Sequence, residues 1–210
     1  MFSYYFYILV IPFINYLFKK KKYLPSHNGS EHQKFINVAV PLTGGIFLVF
    51  PIFFIFYEKF IFFSVVLFLI FLIGFLSDKN ILSSPKKRFL LQLVLIFLFV
   101  FSNKLEVLPT RINFIDDYFR NTYVSYFFTI FCLMILINGS NFIDGLNGLL
   151  LGYCLIILAI LYLIGLLDIF ALSQNSLKFL FAIFFIVFLL NLFIQLFLGD
   201  GGAYSVSFFI

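Results

Sequence analysis

Three acidic side chains in this 210-residue sequence stand beside glycine or basic residues where long apolar runs end, and they are Asp78, Asp144 and Asp200. A carboxylate at the end of a helix in lipid is costly unless it is paired, hydrated or bound to a cation. Three such groups on one membrane face could converge on a common site. The plainer alternative is that each is an ordinary loop residue that faces water.

Segment 138–149, with the sequence NGSNFIDGLNGL, carries two amides and a carboxylate at intervals of three residues. Side chains with that spacing lie near one face of a helix end, so Asn138, Asn141 and Asp144 can act together. The glycines that follow Asp144 permit a tight turn and a close approach of the backbone. Asn and Asp also cap helices, but a cap needs one polar residue rather than three in register.

Segment 197–204, with the sequence FLGDGGAY, places Asp200 between glycines. Mg²⁺ usually takes one or two protein carboxylates and completes its coordination with substrate phosphates and water. A carboxylate with so little bulk around it suits such a metal. A glycine turn with an incidental Asp is the alternative interpretation.

Basic residues follow the third acidic segment, which spans residues 74–78 with the sequence GFLSD. They are Lys79, Lys86, Lys87 and Arg88. Positive side chains beside a membrane bind acidic lipid headgroups. They also attract anionic substrates, and both interpretations can hold for different residues.

The composition shows which environment positions these residues. The chain is 63% hydrophobic and 11% charged, with a mean hydropathy of +1.13, whereas soluble domains are about 25% charged. The formal net charge of +5 lies in short loops, which indicates membrane topology rather than a nucleic-acid partner. Cys132 and Cys154 lie inside apolar runs, so we predict buried thiols and no disulfide or metal site there.

The apolar runs predict an all-α, polytopic transmembrane helix bundle, because a spanning helix needs about 20 apolar residues. Seven complete spans are expected, followed by an eighth run that begins at Ala203 and stops at Ile210. We therefore expect a single integral membrane domain over residues 1–210, truncated at its C-terminus. The predicted spans cover about 2–18, 38–57, 60–77, 89–102, 123–140, 149–167 and 177–198.

The basic residues predict which ends of the spans face the cytoplasm. With alternating spans, one side receives nine of the 14 basic residues: Lys19, Lys20, Lys21, Lys22, Lys34, Lys79, Lys86, Lys87 and Arg88. The richer side is expected to be cytoplasmic, which leaves the N-terminus outside. Asp78, Asp144 and Asp200 then share the cytoplasmic face.

Two of these segments resemble the motifs of a known family. Segment 138–149 agrees with N-x-x-N-x-x-D-G-L-x-G-L at every defined position, and segment 197–204 agrees with F-x-G-D-x-G-[SA]. In this order they resemble the polyprenyl-phosphate N-acetylhexosamine-1-phosphate transferases, also known as glycosyltransferase family 4. The sequences of both motifs are more similar to the branch of the family that initiates O-antigen, enterobacterial antigen or teichoic acid synthesis than to the peptidoglycan branch.

The remaining segments resemble the same family with departures. The family's G-x-x-D-D loop is present at 74–78, but Ser77 replaces the first acidic residue. A basic loop with His32-Gln33-Lys34 leads into the family's P-x-x-G-G pattern at 41–45. Asn191 lies nine residues before Asp200, where the family often has an Asn about ten residues before it.

The resemblance implies a reaction. A polyprenyl (undecaprenyl) phosphate would attack a UDP-N-acetylhexosamine such as UDP-N-acetylglucosamine and release UMP. This step would begin the synthesis of a cell-envelope polysaccharide such as lipopolysaccharide, at the cytoplasmic face of the bacterial plasma membrane. The same resemblance is compatible with a homodimer.

The resemblance also implies roles for individual residues. Asp78 and Asp144 would be catalytic, and Asp78 would face the lipid phosphate. Asp200 and Asp144 would hold Mg²⁺, with Mn²⁺ as an alternative. The expected contacts with the substrates come from Asn138, Asn141, Asp144, Lys79 and Lys86.

Two alternatives stay open. Ser77 cannot act as a carboxylate, so the chain could be an inactive or fragmentary family member. A transporter is the second alternative, but its acids would lie near the middle of the bilayer in broken helices. Here the sequence places the acids at the ends of the spans.

Overall fold

The fold is known from a computed structural model, which describes residues 2–21, 26–27, 40–166 and 172–210. The basic segment 32–34 lies outside this part of the chain. The described residues form α1 (Phe2–Lys21), α2 (Gly44–Tyr57), α3 (Ile61–Asp78), α4 (Pro85–Asn103), α5 (Asn113–Phe119), α6 (Thr122–Ile143), α7 (Leu149–Leu163), α8 (Gln174–Leu192) and α9 (Gly199–Phe209). A short antiparallel pair joins β1 (Ser26–His27) to β2 (Val40–Pro41). The all-α prediction is confirmed.

Three helices of the described part are long and apolar enough to cross a membrane: α3, α6 and α8. Helices α2 and α7 are apolar but shorter. The chain is therefore a membrane protein, whereas the expected count of seven or eight spans is not confirmed.

Some helices begin or end at other residues than the apolar runs predict. Helix α2 begins at Gly44 rather than near residue 38, because residues 40–41 form β2. Helix α8 ends at Leu192 rather than 198, since Ile194 adopts a φ of 57° and turns the chain. Helix α5 lies between the predicted spans 89–102 and 123–140, where no helix is expected. Apolar composition alone predicts none of these changes of direction.

Local sequence explains several other helix ends. Pro85 occupies the start of α4, where its missing N–H costs nothing. Lys104 ends α4 in the left-handed region. The side chains of Asn121 and Ser173 accept hydrogen bonds from main-chain N–H groups in the first turns of α6 and α8.

Helix α9 lies at the centre of the bundle and contacts α2, α3 and α6. Every residue from Gly201 to Phe208 is buried. Glycines permit this packing, because a Cβ on Gly45 would lie 2.6 Å from the Cα of Gly202, and a Cβ on Gly74 would overlap the Cα of Gly201. Small residues let the backbones of membrane helices approach closely in this way.

Aromatic rings hold the other end of α9. Phe208 stacks on Phe63 with ring centroids 5.4 Å apart, and its edge meets Phe99 at 5.0 Å. Phe209 contacts Phe56 of α2 at 5.7 Å. Offset and edge-on aromatic pairs are favourable beyond their area of burial. These contacts hold the C-terminal end of α9 against α2, α3 and α4.

We expect Gly74→Ala to lower the free energy of unfolding by about 1–3 kcal/mol, because the new methyl group collides with the Gly201 backbone. Gly152→Ala in α7 is the matched control, since its Cβ would make only an ordinary contact of 3.4 Å with Phe188. Alanine there should be neutral or stabilise the helix by up to about 1 kcal/mol. Thermal unfolding in detergent compares the two variants, and equal midpoints would contradict the close α3–α9 packing.

Candidate active site

The last residue of α3 caps the start of α9. Oδ1 of Asp78 accepts a hydrogen bond from the N–H of Asp200 at 2.9 Å, and Oδ2 accepts one from the N–H of Gly201 at 3.2 Å. The first N–H groups of a helix have no partner within the helix, and a carboxylate there also interacts favourably with the helix dipole. Asp78 therefore joins the end of α3 to the beginning of α9.

Gly199 makes room for this cap. It adopts a φ of 72°, and a Cβ at this position would lie 2.6 Å from Oδ2 of Asp78. A side chain would thus be strained by the backbone conformation and would also collide with the carboxylate. The glycine before Asp200 is needed for the contact between the two acidic segments.

The carboxylate of Asp200 has two partners on neighbouring elements. Its Oδ2 accepts a hydrogen bond from Oγ of Ser77 at 2.7 Å and pairs with Nη1 of Arg88 at 2.5 Å. Arg88 also donates to Oγ of Ser77. The side chains of Arg88 and Asp200 are 20% and 24% exposed, so the pair lies at the surface of a partly buried site.

Asp144 follows the last residue of α6 and completes the acidic cluster. Burial and the negative charges of Asp78 and Asp200 raise the pKa of Asp144 to about 7. This electrostatic coupling requires the three carboxylates to be near one another. The three acids, which are distant in sequence, therefore lie within electrostatic range of one another.

The other predicted site residues lie on α6, which precedes Asp144, on α4, which carries Arg88, or directly after Asp78. Asn138 donates a hydrogen bond to the carbonyl of Met134 at 2.9 Å, and Asn141 is partly buried near the end of α6. Lys79 is exposed, with Nζ 4.6 Å from the ring centroid of Phe75. Lys86 is exposed in the first turn of α4, two residues before Arg88.

The connector between α8 and α9, residues 193–198, links the P-x-x-G-G segment at 41–45 to the site. The N–H of Phe197 donates to the carbonyl of Pro41 at 3.0 Å. The N–H groups of Gly44 and Gly45 donate to the carbonyls of Phe197 and Leu198 at 3.0 and 3.3 Å. The segment at 41–45 thus contacts the connector directly, and the connector leads into Gly199 and Asp200.

Two residues of this site have no individual role among the expectations from the sequence. Arg88 is grouped there with three lysines, although Pro85 at the start of α4 already places it within the first turn. Asn191 is fully buried and hydrogen-bonds to both the connector and Gly148. No sequence signal identifies the hydrogen bonds of Asn191, because their partners are main-chain groups.

A divalent cation fits the chemistry of these donors. Asp200 and Asp144 could supply one carboxylate each, whereas both oxygens of Asp78 already accept backbone N–H groups. Within the described residues, no group of three His, Cys, Asp or Glu side chains could by itself hold a metal ion. One or two carboxylates completed by substrate phosphates is the usual arrangement for Mg²⁺.

Comparison with known proteins identifies a family. The sequence model of glycosyl transferase family 4 matches residues 60–210, which include Asp78, Asp144 and Asp200. No curated protein matches the chain. Because the family match covers well over half of the sequence, the chain belongs to glycosyl transferase family 4, the membrane-bound polyprenyl-phosphate hexosamine-1-phosphate transferases.

Proposed function

We propose that the protein transfers N-acetylhexosamine-1-phosphate from a UDP-sugar to a polyprenyl phosphate and releases UMP. The family supports a membrane phosphosugar transferase. The observation that carries the finer proposal is the cluster of Asp78, Asp144 and Asp200 with Arg88 at the start of α9. Both substrates are phosphates, and this cluster offers groups that bind a cation beside a group that binds an anion.

The reaction forms one phosphorus–oxygen bond and breaks another. An oxygen of the lipid phosphate attacks the β-phosphorus of the UDP-sugar, and the bond between that phosphorus and the bridging oxygen breaks, so UMP leaves. The main difficulty is that one anion must approach another. Bound Mg²⁺, or Mn²⁺ as the alternative, would neutralise charge on the diphosphate oxygens, and Asp200 and Asp144 would hold it.

The chain's own cations and amides have separate tasks in this proposal. Arg88 is partly exposed beside Asp200 and can direct a second N–H group towards a phosphate oxygen. Lys79 and Lys86 are exposed nearby and attract both anionic substrates. Asn138 and Asn141 lie near the end of α6 and would orient the nucleotide-sugar.

The location of the acids favours an enzyme over a transporter. Asp78 is the last residue of α3, Asp144 follows α6, and Asp200 lies in the first turn of α9. Transporter sites are expected near the middle of the bilayer, within interrupted helices. Acids at helix ends can meet a water-soluble nucleotide-sugar and a lipid headgroup at the same surface.

Ser77 does not by itself favour the inactive alternative. Its hydroxyl donates to Asp200 and accepts from Arg88, so it is part of the hydrogen-bonded cluster. With Ser77 in place of a carboxylate, Arg88 pairs with Asp200 alone. The site therefore carries one fewer negative charge near the incoming phosphates.

The test is release of UMP by membranes that contain the full-length gene product. The assay supplies polyprenyl phosphate and a panel of UDP-N-acetylhexosamines, with Mg²⁺, with Mn²⁺ or with a chelator. Release that needs both the lipid and the metal supports the proposal and identifies the sugar. Release without lipid would contradict it.

Ser77→Asp separates the inactive alternative from the proposal. If the unaltered protein releases no UMP, restored release in this variant would assign the loss to the missing carboxylate. If both proteins are folded and neither releases UMP with any sugar donor of the panel, the proposed reaction is wrong. Circular dichroism and thermal unfolding in detergent establish that both are folded.

A further inference from the structure

Asn191 connects the two acidic motif segments through its side chain. It lies in the last turn of α8 and is 2% exposed. Oδ1 accepts a hydrogen bond from the N–H of Gly148 at 2.6 Å, and Nδ2 donates one to the carbonyl of Leu196 at 3.1 Å. One amide therefore bridges main-chain groups from two distant parts of the sequence.

The first of these groups belongs to the Asp144 segment. Gly148 precedes α7 with a φ of 76° and lies four residues after Asp144. A Cβ on Gly148 would lie 3.1 Å from Phe188 and 3.2 Å from Leu192, so this turn packs directly on α8. The hydrogen bond to Asn191 fixes the end of the turn that begins at Asp144.

The second group belongs to the segment that leads to Asp200. Leu196 is completely buried and stands four residues before Asp200. The residues after it are hydrogen-bonded to Pro41, Gly44 and Gly45. A change in the position of the Leu196 carbonyl would therefore move the connector and with it the start of α9.

The side chain of Asn191 is not needed to end its own helix. The N–H groups of Phe193, Ile194 and Gln195 already donate to carbonyls of the last turn of α8. Its amide instead supplies one acceptor and one donor to groups outside that helix, which is a pairing that neither Asp nor Leu can reproduce. Leaving either buried partner without a hydrogen bond is costly.

We propose that Asn191 is a positioning residue that sets the separation of the Asp144 and Asp200 segments. It touches neither substrate; it holds the two carboxylates where a cation and a diphosphate can engage both. This role rests on the proposed function for its catalytic consequence. The structural coupling itself can be measured on the protein without substrates.

The first measurement is hydrogen exchange of the purified protein in detergent, without metal or substrate. In Asn191→Leu, faster exchange is expected in two separate stretches, residues 145–152 and 196–202, because both hydrogen bonds are lost. In Asn191→Asp, Oδ1 still accepts from Gly148, so the increase should be larger in 196–202. Ser64→Ala is the control, since its buried hydroxyl has no hydrogen-bond partner and lies in α3.

The second measurement is the Mg²⁺ dependence of UMP release. For Asn191→Leu we expect the Mg²⁺ concentration for half-activation to rise by about 10- to 100-fold, the usual effect of losing a residue that orients metal ligands. Ser64→Ala should keep the Mg²⁺ dependence of the unaltered protein. A structural role alone would lower the amount of folded protein and leave the half-activation concentration unchanged.

The two measurements separate the inference from the proposed function. If no protein releases UMP, exchange alone decides, and faster exchange in both stretches still supports the coupling. Unchanged exchange in either stretch of Asn191→Leu would overturn it, as would an unchanged Mg²⁺ dependence in an active protein. Should Asn191→Leu fail to fold, Asn191→Asp provides the same comparison with one hydrogen bond retained.

Discussion

Asp200→Asn is expected to abolish measurable turnover while the protein remains folded. Asn has the shape of Asp and can still accept hydrogen bonds from Ser77 and Arg88, so the contacts around α9 should persist. The variant lacks the negative charge that a divalent cation requires. A metal ion contributes several kcal/mol to stabilising transition-state charge, so its loss corresponds to a decrease of about 1,000-fold or more.

The measurement pairs UMP release with thermal unfolding in detergent. Asp117→Asn is the matched control, because Asp117 is 62% exposed in α5 and forms only a surface ion pair with Arg120. Surface pairs of this kind contribute about 0–1 kcal/mol, so this variant should be stable and active. An active Asp200→Asn protein would refute the assignment of Asp200 as a metal ligand.

A second consequence of this variant concerns Arg88. Without the charge of Asp200, the guanidinium keeps a hydrogen bond but loses its ion pair. Because Arg88 is partly exposed, water can solvate its charge, and the effect on stability should be small. Loss of activity with an unchanged unfolding temperature would therefore identify a chemical rather than a structural defect.

The general arrangement of the site follows from the sequence because it depends on long segments. Apolar runs predict where helices cross the membrane, and alternation then places the loops of Asp78, Asp144 and Asp200 on one face. In the structure Asp78 caps the helix that carries Asp200, and Asp144 lies within electrostatic range of both.

The partners of the acids do not follow from the sequence. Asp78 accepts from backbone groups 122 and 123 residues away, and these N–H groups have no residue type that a motif could show. Arg88 resembles any basic residue near a membrane until its contact with Asp200 is seen. Ile194 at a positive φ is a further case, because a β-branched residue rarely takes that conformation.

The number and the ends of the membrane spans are also difficult to predict from hydropathy. Composition predicts helices well, but the connector 193–198 is as apolar as the helix before it and is not helical. Its backbone is held by Pro41, Gly44 and Gly45, and by the side chains of Asn15 and Asn191. Such contacts arise only when distant segments pack together, so hydropathy cannot predict where α8 ends.

Asp78→Ala is expected to lower both stability and activity. It removes the acceptors of two N–H groups at the start of α9 and the favourable charge at that helix end. Each unpaired, buried donor costs about 1–3 kcal/mol, so for the two donors we expect a loss of about 2–6 kcal/mol. Activity should fall as well, because Asp200 lies in the turn that loses its cap.

Asp116→Ala is a matched control for the loss of a capping carboxylate. Asp116 accepts from the N–H groups of Thr110 and Arg111 at 2.7 and 3.1 Å, in the segment after α4 and away from the acidic cluster. Hydrogen bonds from the Thr110 side chain and backbone hold the pKa of Asp116 below its usual range. Its contribution to stability is present above the unfolded-state pKa and disappears as the pH falls through the folded-state value, whereas activity should be unaffected by the substitution.

Asp78→Asn distinguishes a positioning role from direct participation in the reaction. An Asn oxygen can accept from one of the two N–H groups, while its amide cannot accept from the other. If Asp78 acts by holding α9, stability and activity of Asp78→Asn should both lie between those of the unaltered protein and Asp78→Ala. If Asp78 instead contacts the lipid phosphate as a carboxylate, Asp78→Asn will be more stable than Asp78→Ala and yet equally inactive. Thermal unfolding and UMP release measured on the same preparations decide between the two, because only the positioning role makes activity follow the number of hydrogen bonds retained.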